Sequence, residues 1–424
     1  MSTLPRAKDT RTLLAAQLVF NIGFYAVVPF LAVAMRDDFG MQAAAIGLVL
    51  GARTFSQQGM FLVGGLLADR WGTKRAMLLG CLVRISGYAT LAAATDFPLF
   101  LLGAILTGAG GAMFSPALES HLSRADLVVD GNLAPGQSRP RSVFVWLAIT
   151  GEIGAVLGPL LGAALMGWGF GASLGLGIAV FAVFTVVLWI RLPSLPPNAA
   201  RTPEAAANSH SRNHPLRCLR NRRFVAFCAL ASVNMLAYNQ LYFLIPLELD
   251  RQGLDSSWLA VLFLIASALT IVLQLPVSAA VRRIGESRAM PAGFLLLAAA
   301  FTAACYGQVA GSSAVPLVAV VVLLILGHMT LRPTILAAIP GFLALGDTAG
   351  RGAYYGLAAS CGGIAVLLGN AAIGQLRHWA ENGGWAGAPW ILLIGAAVLP
   401  AVLLPMVLPV RGQSVAMPAG DRTS

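Results

Sequence analysis

The chain has 424 residues, of which 58% are hydrophobic and only 11% are charged, and it contains 46 glycines. This composition indicates a polytopic membrane protein and effectively excludes a cytosolic enzyme made of two or three soluble domains. The formal net charge of +11 at pH 7 would indicate a nucleic-acid partner only if the basic residues clustered on one folded face, whereas in a membrane protein they segregate by side.

Apolar runs dominate the sequence from end to end. A run of about 20 residues crosses roughly 30 Å of hydrocarbon, and twelve such runs start near residues 12, 43, 76, 99, 142, 171, 224, 257, 289, 315, 352 and 386. The first run follows MSTLPRAKDTR without a small-residue cleavage site, which favours a retained span over a signal peptide. The sequence predicts an all-α membrane protein with twelve transmembrane helices and, because twelve is even, both termini in the cytoplasm.

The positions of the basic residues support this topology. Of the 28 Lys and Arg residues, 22 lie in segments predicted to be inside, three lie within spans, and three lie outside (Arg36, Arg251 and Arg377). This is a strong positive-inside pattern, and it predicts a multi-pass protein of a bacterial inner membrane without a nucleic-acid partner. The five cysteines have no metal-ligand spacing and are interpreted as free thiols.

One polar segment, residues 194–223, divides the twelve spans into six and six. It is rich in Pro, Ala, Asn and Arg, which is typical of a linker. The predicted organisation is an N-terminal bundle over 1–193, a cytoplasmic linker over 194–223, a C-terminal bundle over 224–410 and a cytoplasmic tail over 411–424. The end of the linker, HPLRCLRNRRF, is either a short basic helix at the anionic membrane surface or a solvated charge run.

The two halves retain traces of duplication, the usual construction of secondary transporters. Span 4 contains GGAMFSP (110–116) and span 10 contains GHMTLRP (327–333), with Gly and Pro six residues apart in both. Span 1 pairs Asn21 with Tyr25, and span 7 pairs Asn234 with Tyr238, at the i, i+4 spacing that shares a helix face. A duplicated bundle with a cavity near the membrane midplane follows.

Two motifs carry a resemblance to a known family. GLLADRWGTKR, residues 65–75, resembles the loop signature of the major facilitator superfamily, with Thr73 departing from it. GAVLGPLLG, residues 154–162, is similar to the motif of the family's exporters, and longer stretches resemble the MdtH-type multidrug-resistance branch and related siderophore exporters. The resemblance implies a drug:proton antiporter that acts as a monomer, and it implies roles for the residues of both motifs.

The loop signature is expected to form a conformational latch. Its members are Gly65, Asp69, Arg70, Gly72 and Lys74, and the predicted partner of Asp69 is the start of span 11 at Arg351. Gly72 permits a tight reversal, and Asp69 can accept from backbone donors at a helix N-terminus. The alternative is a loop that only fixes the topology.

The span 5 motif comprises Gly154, Gly158, Pro159 and Gly162. Small residues four apart let another helix approach closely, and Pro159 removes a backbone hydrogen bond. Because span 5 faces the second half in this family, we expect a seam against span 8. The alternative is ordinary helix packing.

Glu152 is the only acidic residue placed well inside a span. A carboxylate in hydrocarbon must pair, face water or bind a proton, so Glu152 is the candidate proton-coupling residue, with Arg53 in span 2 or Arg84 in span 3 as its partner. The alternative is a permanent ion pair that holds the bundle together. Antiporters of this superfamily usually carry an arginine in span 4, where this chain has Ala104, so one of those two arginines substitutes or the coupling differs.

Polar residues for a substrate site are concentrated in the second half. Arg332 follows His328 by one helical turn, so both share a face and should point into the cavity. An arginine there favours substrates with carboxylate or hydroxamate groups, whereas a pump for cationic drugs would favour acidic residues. The predicted substrate-binding residues are Asn21, Tyr25, Gln57, Asn234, Tyr238, Asn239, Tyr242, His328, Arg332 and Asn370.

These features predict an exporter of small organic molecules, either drugs or a self-made metabolite such as a siderophore, driven by the proton gradient without a cofactor. Its partners would be a small-molecule substrate and the lipid bilayer. The alternatives are an importer with the same fold and a non-transport membrane receptor or enzyme. The exporter motif opposes the former, and the internal repeat together with the lack of a catalytic or metal-binding motif opposes the latter.

Overall fold

A computed structural model describes residues 7–131, 143–192, 217–255, 257–308, 314–342, 351–383 and 385–408. The predicted linker lies mostly outside the described residues, with only 217–223 inside them, and the predicted tail lies outside them entirely.

Helices account for almost all of the described chain, and no β-strand occurs in the described ranges. The first half contains α1 (Ala7–Tyr25), α2 (Leu31–Asp37), α3 (Ala43–Gly59), α4 (Phe61–Trp71), α5 (Thr73–Ala92), α6 (Phe97–Gly131), α7 (Val143–Met166) and α8 (Phe170–Arg191). The second half contains α9 (Arg217–Arg220), α10 (Arg222–Ala231), α11 (Val233–Asn239), α12 (Leu244–Arg251), α13 (Ser257–Ile284), α14 (Glu286–Gly307), α15 (Ala314–Ala338), α16 (Arg351–Glu381) and α17 (Ala388–Val407). Two 3₁₀ turns, Val28–Phe30 and Ile339–Phe342, complete the list.

Within these ranges, ten helical segments are long and apolar enough to cross a membrane. The predicted second and third spans, which correspond to α3 with α4 and to α5, are not among the ten. The break at Met60 divides the second span, and Lys74, Arg75 and Arg84 lower the hydropathy of the third. Twelve spans in two bundles therefore stays a prediction, whereas an all-helical membrane protein is confirmed.

The first span of each half is interrupted at the same place. The helix α1 ends at Tyr25, and α2 starts at Leu31 after a turn that contains Pro29. In the second half α11 ends at Asn239, and α12 starts at Leu244 with Pro246 in its first turn. Such discontinuous helices leave backbone groups and side chains free to line a cavity near the middle of a transporter.

Glycine positions repeat between the halves as well. Gly72 (φ 88°) joins α4 to α5, and Gly285 (φ 81°) joins α13 to α14, so both turns use a backbone conformation that side chains disfavour. Gly110 packs on Gly80 of α5, and Gly327 packs on Gly293 of α14. The predicted duplication is thus visible in the packing of α6 on α5 and of α15 on α14.

Two helix pairs make the most extensive contacts between the halves. The helix α16 packs along α3, where a Cβ added to Gly47 would clash with the Asn370 carbonyl and one added to Gly51 would clash with Leu367. The helix α7 packs along α13. Small residues in α3 allow this close approach, as is common between helices in membranes.

Candidate functional site

Aromatic rings gather at the two helix breaks. Tyr25 of the first break lies 6.0 Å from the Phe263 ring of α13, measured between ring centroids, and Tyr242 of the second break lies 5.4 Å from it. Tyr238 and Tyr242 are 6.2 Å apart, and Phe24 lies 6.4 Å from Tyr242. These distances are typical of interacting aromatic pairs. The cluster takes side chains from both halves.

His328 borders this cluster. Its ring stacks on Tyr238 with the centroids 4.1 Å apart and the planes at 24°, and its Nδ1 lies 3.1 Å from the Asn234 Oδ1. Because an amide oxygen only accepts, this contact places the proton on Nδ1 and leaves Nε2 as an acceptor. The structure brings Asn234, Tyr238 and His328 together, and their role in binding substrate stays a prediction.

Opposite charges from the two halves flank the aromatic cluster. The Glu152 carboxylate on α7 faces the Ser267 hydroxyl of α13 and the Arg332 guanidinium of α15. Ser267 is buried, Glu152 is partly buried, and Arg332 is exposed. A carboxylate and a guanidinium that flank one aromatic cluster can bind complementary groups of a small molecule, and the carboxylate can exchange a proton.

A layer of hydrogen-bonded polar side chains joins the two halves on the side that the topology predicts to be outer. The Asn370 Nδ2 donates to the Asn239 Oδ1 at 2.7 Å, the Asn239 Nδ2 donates to the Thr54 Oγ1 at 3.1 Å, and the Gln240 Nε2 donates to the Asn370 Oδ1 at 3.1 Å. All four side chains are buried. Asn239 and Asn370 therefore join the halves beside the seam between α3 and α16, each donating one hydrogen bond and accepting one, and their contact with substrate stays a prediction.

The arginines of the first half do not pair with Glu152. The Arg53 Nη2 donates to the Gln57 Oε1 at 2.9 Å, and the Arg84 Nη2 donates to the Thr107 carbonyl at 2.8 Å. Among the described residues no ion pair joins either arginine to Glu152. The predicted pairing is absent from this conformation, because Glu152 faces α13 and α15 whereas both arginines point at α1. Gln57 supports Arg53 in this position.

The glycine face of α7 packs within its own half. A Cβ added to Gly154 would meet Asn21, one added to Gly158 would meet Tyr25, and one added to Gly162 would clash with Phe30. The Asn21 Nδ2 also donates to the Gly151 carbonyl at 2.8 Å. The predicted seam against span 8 is wrong for these glycines, and Asn21 joins α1 to α7, while its contact with substrate stays a prediction. Pro159 lies inside α7 and is buried.

The latch is only partly described. The side chains of Asp69 and Arg351 lie outside the described residues, so their predicted contact is untested. Arg70 is exposed, Gly65 has open space around it, and the Lys74 Nζ donates to the Trp189 carbonyl at 2.8 Å. Gly72 provides the reversal that the motif predicts.

Sequence reasoning missed an ion-pair network at the predicted outer end. The Arg36 Nε lies 2.8 Å from the Asp250 Oδ2, and its Nη1 lies 3.5 Å from the Glu381 Oε1. Glu248 is buried and pairs with Arg377 at 3.1 Å and with Arg251 at 2.6 Å. The three arginines predicted outside are all members of this network. Acidic residues at the ends of spans 7 and 11 were the available signal.

Comparison with known proteins places this geometry in a family. Residues 13–370 match the Major Facilitator Superfamily. An uncharacterized MFS-type transporter of Mycobacterium tuberculosis is 31% identical over 400 residues, covering 92% of this chain and 91% of the relative. The multidrug resistance protein MdtH of Escherichia coli is 28% identical over 383 residues, covering 90% of this chain and 89% of MdtH.

Solved structures share the fold at low sequence identity. A POT peptide transporter in complex with sulfate has a TM-score of 0.75 and 16% identity, covering 97% of both chains. The nucleoside transporter NupG has a TM-score of 0.74 and 15% identity, covering 94% of this chain and 99% of NupG.

Proposed function

Because the chain belongs to the major facilitator superfamily, and is thus a multi-pass membrane transporter, we propose that it exports small organic molecules across a bacterial inner membrane in exchange for protons. The observation that carries this proposal is that Glu152 and Arg332, from opposite halves, lie close enough to attract each other beside one aromatic cluster without forming an ion-pair contact. Movement of one half against the other would separate these charges. Proton binding to Glu152 and the switch of the substrate site from one side of the membrane to the other are therefore coupled at one place.

Glu152 carries the proton in this proposal, and Arg332 stabilises the ionised form when the halves are arranged as described. Arg53 and Arg84 remain the positive charges of the first half, and a pairing with Glu152 in another conformation is part of the proposal. An alternating-access cycle needs two such arrangements. In this proposal twelve spans form two six-helix bundles, with both termini inside, and the two bundles are the parts that move.

The substrate proposed is an aromatic or conjugated molecule with an acidic group, such as a carboxylate or a hydroxamate. Arg332 is exposed beside the rings of Tyr238 and His328, and an arginine fork suits a planar anionic group. Both a drug and a self-made metabolite such as a siderophore fit this class.

Export is favoured over import by the span 5 motif and by the relative named a multidrug resistance protein. The structures named as peptide and nucleoside transporters support the fold alone at their level of identity. Import by the same cavity is the second candidate, and the direction of gradient-driven movement separates the two.

The latch belongs to the same proposal. Asp69 would hold one arrangement of the halves by contact with the start of α16 near Arg351. We expect Asp69→Asn to change transport and conformer populations while the amount of folded protein in the membrane stays nearly unaltered. Unchanged kinetics and populations would remove Asp69 from the mechanism.

The deciding experiment measures salicylhydroxamate and ethidium movement in proteoliposomes with and without an imposed pH gradient, at defined protein orientation. We expect wild-type protein to concentrate the hydroxamate on the side corresponding to the cell exterior when the proton gradient is imposed. Glu152→Gln should abolish gradient-driven accumulation while downhill exchange continues, because a permanently neutral side chain still permits movement of the halves but carries no proton.

The matched control is Glu286→Gln, the same change at the start of α14, which should leave gradient-driven accumulation intact. If Glu152→Gln still concentrates substrate in response to the gradient, Glu152 is a structural residue and the coupling proposal fails. Gradient-driven accumulation towards the side of the cytoplasm would establish the importer instead.

A further inference from the structure

Two arginines of the first half are buried together. Arg84 on α5 is 0% exposed and Arg53 on α3 is 5% exposed, and their guanidinium groups are close enough to repel each other. Two like charges in a medium of low dielectric constant are costly unless opposite charge lies nearby.

The neighbouring groups satisfy these arginines only in part. Each donates one hydrogen bond, Arg53 to Gln57 and Arg84 to the Thr107 carbonyl. The Nε of both, and the Nη1 of Arg84, are buried and donate to no atom of the described chain. These N–H groups are strong donors, and leaving them unpaired away from water is unfavourable.

Aromatic side chains supply further stabilisation, and the Tyr88 hydroxyl also faces the Arg84 guanidinium. The Arg84 guanidinium lies 4.3 Å from the Phe20 ring centroid and 5.5 Å from those of Phe24 and Phe181, and the Arg53 guanidinium lies 4.7 Å from that of Phe24. A ring face attracts a cation but does not neutralise it. No carboxylate with a described side chain forms an ion pair with either arginine. Glu152, the acidic residue that the sequence placed inside a span, faces Ser267 and Arg332.

We infer that Arg53 and Arg84 form a binding site for a small monovalent anion such as chloride, enclosed between α1, α3, α5 and α6. The free N–H donors and the two positive charges suit a halide. Gly111 of α6 lets the Arg84 guanidinium approach this helix closely, since a Cβ there would lie 2.5 Å from the Arg84 Nη2 and 3.3 Å from the Gln57 Cδ. A halide in this place supplies the negative charge that the chain itself provides elsewhere through carboxylates.

The anion site does not depend on the direction or the substrate of transport, but it uses Arg53 and Arg84, which the transport proposal pairs with Glu152 in another conformation. Both arginines belong to the first half, and Phe24, which the Arg53 guanidinium contacts, also belongs to the aromatic cluster. Two other sources of negative charge have the same chemistry, the Glu152 carboxylate in another conformation and the acidic group of a substrate, and the experiment separates them from free halide.

The experiment measures binding of radiolabelled chloride to purified protein in nanodiscs without substrate, together with the midpoint of thermal unfolding. Chloride is exchanged for gluconate at constant ionic strength, so that screening by salt stays constant. We expect saturable binding of about one chloride per chain and a midpoint that rises with chloride to a plateau, since a ligand that binds only the folded state stabilises it. Bromide should compete and gluconate should not.

Two kinds of variant locate the site. Arg53→Gln removes one charge, and Gly111→Val displaces the Arg84 guanidinium without changing any charge, so both should lose most of the bound chloride. Arg282→Gln, at the predicted inner surface, should bind chloride as the wild type does. Glu152→Gln should also retain binding, which excludes its carboxylate as the required anion.

Three results would overturn the inference: wild-type protein without saturable chloride binding, wild-type stability equal in chloride and gluconate, or binding unchanged in both Arg53→Gln and Gly111→Val. If the variants fail to fold, the halide competition on wild-type protein still decides whether a saturable anion site exists.

Discussion

Tyr238 holds His328 in one orientation within the candidate site. The two rings stack at 4.1 Å, and Asn234 fixes the Nδ1 of the histidine. An aromatic pair contributes about 0.5–1.5 kcal/mol beyond the area it buries. The pair also presents a flat surface beside Arg332, on which a planar substrate group can stack.

Tyr238→Ala should therefore weaken substrate binding more than turnover. The lost stacking energy corresponds to an increase of about 2- to 10-fold in KM, with a smaller change in kcat. The measurement is concentration-dependent, gradient-driven export in proteoliposomes. Tyr306→Ala provides the matched control, because Tyr306 is 70% exposed and far along α14 from the cluster. An equal KM in wild type and Tyr238→Ala would remove the stacked pair from substrate binding.

Residue spacing predicted some of these contacts and missed others for a physical reason. The period of the helix puts Asn234 and Tyr238 on one face, as the sequence predicts, and the structure shows that this face contacts His328. Asn239 is one residue further and points to α3 instead. The partner of Glu152 depends on how two distant helices are rotated about their axes, and no local pattern in the sequence encodes that rotation.

At the scale of a helix, α7 has two faces with different partners. Gly154, Gly158 and Gly162 contact α1, whereas Glu152 faces α13 and α15. The spacing of the glycines predicts close packing, and that expectation is confirmed. The spacing does not indicate which helix approaches the glycines. The predicted partner, span 8, was therefore wrong for the glycine face of α7.

Gly158→Leu should destabilise the first half. Its added Cβ would press on the Tyr25 Cβ and the Ile22 carbonyl, and overpacking costs about 1–3 kcal/mol. We expect a lower midpoint of thermal unfolding and less monodisperse protein after detergent extraction. The matched control is Gly171→Leu, because a Cβ at Gly171 meets no atom within 4 Å. Equal losses in both variants would mean that the glycine contact with α1 has no special role.

At the scale of the whole molecule, the charge pattern predicts which side of the membrane each loop faces. A single cysteine placed in 194–223, in a background with the native cysteines replaced by alanine, should react with a membrane-impermeant maleimide only from the cytoplasmic side. A second variant, with its single cysteine in place of Asp38 beside the outer ion pairs, should react only from outside. A linker residue labelled from outside would invert the topology and refute the positive-inside argument.

The network at that outer end contains contacts of two different strengths. Arg377 and Glu248 are each 1% exposed and both belong to the second half, and breaking a buried pair costs about 3–5 kcal/mol. The Arg36 pairs with Asp250 and Glu381 join the halves, but their side chains are about one-third exposed, at 32%, 38% and 32%. Such pairs contribute about 0–1 kcal/mol. The strong pair therefore fixes α12 to α16, whereas the weak pairs can open and close during transport.

Arg36→Gln should shift the molecule towards conformations with separated halves at the outer end. A loss of up to about 1 kcal/mol changes the ratio of closed to open conformers by up to about fivefold, without loss of folded protein. Spin labels at Asp38 and Asn382, which lie at this end in opposite halves, report the shift as a larger population of long distances in pulsed dipolar spectroscopy. Arg251→Gln is the control that should leave the distribution unchanged, because the partner of Arg251 is Glu248, three residues earlier in the same helix. If both variants give the wild-type distribution, the Arg36 pairs do not hold the outer end closed, and the packing of α3 against α16 closes it without them.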